Sequence, residues 1–352
     1  MVPYYVLVFV PYLFSLILKR DNYEEGRFGR RVTLFVFFFI FTLLLAFRTE
    51  ACGTDLPGYK EHFAAVQYNT WEYGLTLESE PGYFYLQKLV HVISDNFYVY
   101  LAVVALISVV PWVVFYMKES DNAVLSIAAF IAVAPFSMYF SGLRQAVAMG
   151  FSVIVWHCVR KKKWFWFAVS VLLAMSVHAS GWVIALILPL YYIRITKKYL
   201  PAIGILATTF LVFNKRIMEI LTEFLGRYSE TIKETNAYTV LILLIIFVIY
   251  AFFLPDESKM DRDTIAMRNM LIFTLLVQCF APAHLLVMRV NYYFLPFIPV
   301  FVTRVAHRSR YELEQVSTIS AIVMVVVFTA WFLGTMTRGG ALGIVPYTTW
   351  LF

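Results

Sequence analysis

Long apolar runs recur along this chain, at about 2–18, 32–47, 97–117, 123–140, 144–159, 164–178, 180–193, 200–213, 237–254, 267–281, 286–303 and 316–334, and few of them hold a charge. Such runs are how lipid-spanning helices read, since a span needs about 20 apolar residues. Inside lipid every backbone donor and acceptor must be paired within the protein, which leaves helices as the way for runs of this length to cross. Composition agrees: 61% of the 352 residues are hydrophobic and 14% charged, against roughly 45–50% and 25% in a soluble domain. The expectation is an all-α polytopic membrane protein, a bundle of about 12 transmembrane helices with short amphipathic helices on its outer face, such as 83–94. The whole chain, 1–352, reads as a single transmembrane domain. Its first apolar run has no positive flank and no small-residue cleavage site, so it is expected to stay as a span.

Loop charge sets the orientation. Lys19, Arg20, Arg27, Arg30 and Arg31 make the first loop basic and therefore cytoplasmic. Alternation then puts Arg160–Lys163, the group Arg194, Lys197 and Lys198, and the stretch Arg304–Arg310 on the same side. The net charge of +7 is thereby read as topology, with no nucleic-acid partner. The outside receives 48–96, an extracytoplasmic loop with an interfacial segment, and a second loop, 214–236. Three cysteines without CxxC spacing indicate neither zinc nor a disulfide scaffold.

The stretch 164–193 is about 30 apolar residues with basic residues at both ends. One straight helix of that length would be about 45 Å long and would put the two ends on opposite sides. Both ends are expected in the cytoplasm, so the chain must turn near His178. Each half is then about 22 Å, short of the ~30 Å hydrocarbon core, which sinks His178 below the outer surface. Irregular backbone at that depth requires protein or water around it. The expectation is an outward-open polar cavity with His178 on its wall.

Arg48, Asp55, Glu80, Arg144, His178 and Arg289 come from separate segments but share the outer ends of spans. Ionisable residues at membrane depth are costly and are functional candidates by default. Arginine forks suit phosphate or pyrophosphate oxygens, and a histidine or carboxylate can take a proton from an attacking hydroxyl. Each also has a plainer reading: Arg48 snorkels, Arg144 caps a helix, Arg289 pairs with a buried acid, Asp55 and Glu80 are solvated, and His178 packs. Tyr59, Trp71 and Tyr83 lie in or beside the outer loop, where their rings can stack on sugars or anchor the interface. With Gln145 and Tyr292 they make up the expected sugar-binding set.

Taken together these residues resemble the EpsG-like group of Wzy-type bacterial polysaccharide polymerases. The matching pieces are Arg48 with Gly53, Thr54, Asp55 and Tyr59; Glu80-Pro81-Gly82-Tyr83; Ser141-Gly142-Leu143-Arg144-Gln145; His178-Ala179-Ser180; and Arg289 with Tyr292 and Tyr293. Each piece alone is weak, and the order over about 30–304 carries the likeness. The resemblance implies a multi-pass protein of the bacterial cytoplasmic membrane that joins undecaprenyl-pyrophosphate-linked oligosaccharide repeats on the outer face. The growing glycan would pass to the non-reducing end of the next unit, without metal or other cofactor, with a flippase and a chain-length regulator as partners. Arg144, Arg289 and Arg48 are then expected on the pyrophosphate, and His178 is the first choice for the base, ahead of Asp55 and Glu80. Other polyprenyl-linked glycosyltransferases, an O-antigen ligase, and a lipid-linked oligosaccharide flippase or transporter are the competing readings.

Overall fold

The protein is described here by a computed structural model covering residues 1–18, 23–225, 237–284 and 287–351. Lys19 and Arg20 of the first basic loop, and 226–236 of the second outer loop, lie outside the described residues. In chain order the helices are α1 (Val2–Ile17), α2 (Tyr23–Ala46), α3 (Leu56–Tyr68), α4 (Pro81–His91), α5 (Phe97–Glu119), α6 (Ala123–Val133), α7 (Met138–Ser141) and α8 (Leu143–Arg160). They continue as α9 (Trp164–Val177), α10 (Ile187–Tyr192), α11 (Leu200–Leu225), α12 (Tyr238–Phe253), α13 (Arg262–Gln278), α14 (Met288–Asn291), α15 (Ile298–His307) and α16 (Glu314–Thr337). Among the described residues there is no strand, only the bridge pairs Arg48–Thr349 and Pro255–Ser309.

Four stretches, Gly26–Ala46, Phe97–Glu119, Lys197–Ile220 and Tyr311–Thr337, are long and apolar enough to cross a membrane, and shorter apolar helices accompany them. Proline accounts for two departures from the expected runs. The helix in 123–140 stops at Val133, because Pro135 pushes Ala134 out of the helical region to ψ 155°. The run 286–303 is broken at Tyr292–Phe294 and at a 3₁₀ turn, Leu295–Phe297, that contains Pro296. Hydropathy cannot register the backbone donor that proline removes. The broken stretch is wrapped in protein, with Tyr293, Phe294 and Leu295 all buried, as irregular backbone at that depth requires. The described part of the second outer loop, 214–225, is helical and continues α11.

The centre of the bundle is α6, buried from Leu125 to Val133 and packed against α1, α2, α15 and α16. Its alanines, Ala128, Ala129 and Ala132, let neighbouring backbones approach, as small residues do where lipid gives no hydrophobic drive to helix pairing. Phe37, Phe38 and Phe41 of α2 each set an edge against Phe130 of α6.

The two ends of the bundle differ. At the end expected to be cytoplasmic, Arg304 donates to the Glu119 carboxylate and to its carbonyl at 3.0 Å. Arg160 bridges Glu119 (2.7 Å) and Asp263 (3.0 Å), and Arg308 bridges Asp121 (3.0 Å) and Asp261 (3.2 Å). The basic clusters read as topology signals also supply ion pairs that tie α5, α8, α13 and α15 together.

At the opposite end, 339–350 fold back as a strap over 47–54. Backbone bonds run from Thr49 N–H to Thr348 (3.0 Å), Gly53 N–H to Gly343 (3.1 Å), Thr54 N–H to Leu342 (3.0 Å) and Trp350 N–H to Phe47 (3.2 Å). Glycines at φ +104°, +65° and +67° (Gly339, Gly340, Gly343) let the chain reverse after α16.

Candidate active site

The chain breaks at His178 as the length argument demanded. Its backbone is extended (φ −149°, ψ 125°), and a 3₁₀ stretch, Ala179–Leu186, returns along α9. Gly181 makes that return possible, because a Cβ there would stand 2.5 Å from the Ala174 carbonyl oxygen. The turn aims the imidazole at the start of α4. His178 Nδ1 lies 2.7 Å from Glu80 Oε1, which also accepts from the Ala179 N–H at 3.0 Å.

Glu80 caps α4 just before Pro81, in the left-handed conformation (φ 57°, ψ 40°). A non-glycine residue held there costs about 1–2 kcal/mol, and such outliers gather at functional sites. Its other oxygen accepts from Arg144 Nη1. Burial works against ionisation, but the hydrogen bonds from His178 and the Ala179 N–H, with the charge of Arg144, outweigh it and hold the carboxyl down at about 2. Because the folded value is depressed below the ordinary 4.5, its stabilisation is complete above that pH and is lost as pH falls toward 2. Thermal unfolding of purified protein should therefore shift down between pH 4.5 and 2, with a smaller shift in Glu80→Gln.

Arg144 starts α8, in the turn that follows Gly142. Its guanidinium lies 5.7 Å from the Tyr59 ring centre and 5.8 Å from that of Tyr83, and 45% of its side chain stays exposed. Next to it, Gln145 Nε2 donates to the Arg289 carbonyl at 2.7 Å, fastening α14 to α8. The Arg289 side chain is exposed and makes no hydrogen bond or ion pair among the described residues. Tyr293 links the halves: its hydroxyl meets Ser180 Oγ at 2.9 Å and lies within electrostatic reach of both Glu80 and Arg289.

Arg144, Glu80, His178 and Arg289 therefore share one end of the bundle. Other expected members are placed differently. Arg48 is buried (1% exposed), with its guanidinium taken by the carbonyls of Leu45 and Phe140. It holds α2 to α7 and does not face an open site, since hydropathy could not reveal those carbonyl partners. Tyr83 is buried with its hydroxyl on Tyr100, so it backs Arg144 and offers no free face to a sugar. Gln145 is likewise buried and occupied with Arg289. Asp55 stays exposed, accepting from the Thr54 hydroxyl at 3.2 Å. Trp71 is exposed and stacks on Tyr85.

Arg289 also lines a cavity. A space of about 400 Å³ is lined mainly by apolar side chains, among them Pro135, Phe136, Trp331 and Met336, with Arg289 and Tyr292 on its wall. His178 is not a lining residue. The strap, which contributes Ala341 and Leu342, was missed in sequence because it lacks charge clusters and an apolar run; its three glycines were the available signal.

Glu80 is positioned by a close helix contact. A Cβ at Gly82 would stand 2.9 Å from Ser176 Cβ and 3.0 Å from the Ser176 carbonyl carbon. Gly82→Val should push α4 off α9, costing about 1–3 kcal/mol of stability as overpacking does. Melting curves and loss of protection at the Ala179 amide would register it.

A sequence model of the EpsG family matches residues 31–349. No curated protein and no solved structure matches the chain.

Proposed function

The chain belongs to the EpsG family, polysaccharide-polymerase-like membrane proteins, and from that premise we propose that it is a membrane glycosyltransferase of the Wzy type. It joins undecaprenyl-pyrophosphate-linked repeats on the outer face of the bacterial cytoplasmic membrane. The observation that carries this reading is the Arg144–Glu80–His178 chain of contacts, assembled from three separate segments, with Arg289, whose side chain has no partner among the described residues, beside it.

A carboxylate can only accept, so the Glu80 contact fixes the proton of neutral His178 on Nδ1 and leaves Nε2 with its lone pair. Nε2 takes the proton from a sugar hydroxyl of the acceptor repeat. That oxygen bonds to the anomeric carbon of the donor glycan while the bond from that carbon to the pyrophosphate oxygen breaks. Undecaprenyl pyrophosphate leaves as an anion, and the imidazolium later returns its proton to water. Glu80, ionised down to about pH 2, is too weak a base for the hydroxyl. It is a positioning residue that orients the ring and stabilises its charged form, the logic of a base held by a third group. Arg289 and the exposed side of Arg144 receive the charge that builds on the leaving group, where fixed donors lower the barrier most.

The test is polymerisation by purified protein given lipid-linked repeats, with and without chelator. Glycan ladders that persist with chelator are expected. Absence of ladders together with movement of lipid-linked repeats across vesicles would replace the enzyme with a transporter.

A further inference from the structure

The apolar cavity beside the polar cluster has no role in the chemistry above. We propose that it seats the carrier-proximal hydrocarbon chain of the polyprenyl pyrophosphate, with Arg289 on the phosphates. This rests on the polymerase reading and assigns the lipid a place within it.

Three observations carry it. First, the wall is apolar, and Arg289 is the one charged residue among those that line it. An apolar space bearing a single cation, with no side-chain partner among the described residues, suits a ligand with a hydrocarbon tail and an anionic head. Second, an exposed apolar stripe of α16 runs up to the space. Val323, Val327 and Trp331 are spaced four apart and all exposed, so they share a face. Trp331, the last of them, also lines the cavity. A chain too long for the cavity would continue down that stripe. Third, its volume of about 400 Å³ is at the small end of the range for ligand sites, roughly 300–1,000 Å³. That suits one chain with a compact head better than the paired chains of a phospholipid.

The geometry has a further consequence for the reaction. Arg289 belongs to the cavity wall, and its carbonyl is bonded to Gln145, next in sequence to Arg144. A pyrophosphate on Arg289 with its lipid in the cavity would present its glycan toward Arg144 and His178. The seat is therefore that of the donor, whose pyrophosphate departs, and the acceptor approaches from the exposed side near Asp55 and Trp71.

The experiment uses the full chain in nanodiscs and a polyprenyl pyrophosphate carrying a diazirine in its first isoprene units. Adducts mapped by mass spectrometry are expected on Trp331, Met336 and Leu342. Unlabelled polyprenyl pyrophosphate should compete and phosphatidylglycerol should not. Ala341→Trp, an exposed position on the strap, should cut labelling about tenfold by filling apolar space the chain would occupy. Adducts spread over the lipid-facing helices without enrichment at the cavity would overturn the proposal. So would equal competition by phosphatidylglycerol, which would mark a general anionic-lipid site. The labelling itself requires no turnover. A labelled cavity in a protein that makes no ladder would sink the polymerase reading alone, and ladders with labelling elsewhere would sink the seat alone.

Discussion

His178→Ala should slow glycan joining by about 10²- to 10⁴-fold, the usual contribution of a positioned general base. The imidazole is 16% exposed and held by one carboxylate, so its removal leaves a small space and does not dismantle a helix contact. Binding of lipid-linked donor should stay near normal, and single-turnover assays should place the loss in the chemical step. Glu80→Gln should give a related defect through orientation. A carboxamide can present its N–H₂ to Nδ1, which favours the tautomer with the proton on Nε2 and leaves no lone pair for the hydroxyl. A His178→Ala enzyme that turns over at the parent rate would remove the base from this scheme.

Arg289→Ala should lower the rate about 10²- to 10³-fold, as deletion of one preorganised donor to a developing anion does. The parent side chain has no protein partner among the described residues, so its loss should not move the melting temperature. Arg289→Lys should recover only part of the rate, because a point charge cannot reproduce a bidentate fork on two phosphate oxygens. Arg144→Ala is expected to combine two effects, weaker charge stabilisation and a Glu80 carboxylate deprived of its cation. Parent-like kcat in Arg289→Ala, with normal donor binding, would move the leaving group away from this side of the bundle.

Much of this site was legible because two simple arguments converge. Length against charge forced a break near His178, and topology set Glu80, Arg144 and Arg289 at the same outer ends of spans. The carboxylate–imidazole contact was not legible, since Glu80 and His178 are 98 residues apart and spacing says nothing about which outer carboxylate meets which ring. Glu80 was therefore placed behind His178 among the candidate bases with no partner assigned to it, and it meets both His178 and Arg144. Arg48 illustrates the opposite failure. An arginine at the end of an apolar run reads as a phosphate ligand or a snorkelling side chain, and only three-dimensional packing brings the Phe140 carbonyl to it. Proline-broken runs such as 123–140 were read too long because apolarity persists where helical hydrogen bonding does not.

The strap ties the order of synthesis to the readiness of the enzyme. Residues 342–350 are made after every helix described here, yet they supply backbone partners to Thr49, Gly53 and Thr54 near the start of the chain. Helices can enter the bilayer one after another as the ribosome delivers them, but this pairing closes a loop of nearly the whole polypeptide and must come late. The wall contributed by Ala341 and Leu342 is then also late to arrive. A chain made only as far as α16 lacks these two residues, so the space beside Arg289 takes its final form only once the strap has paired.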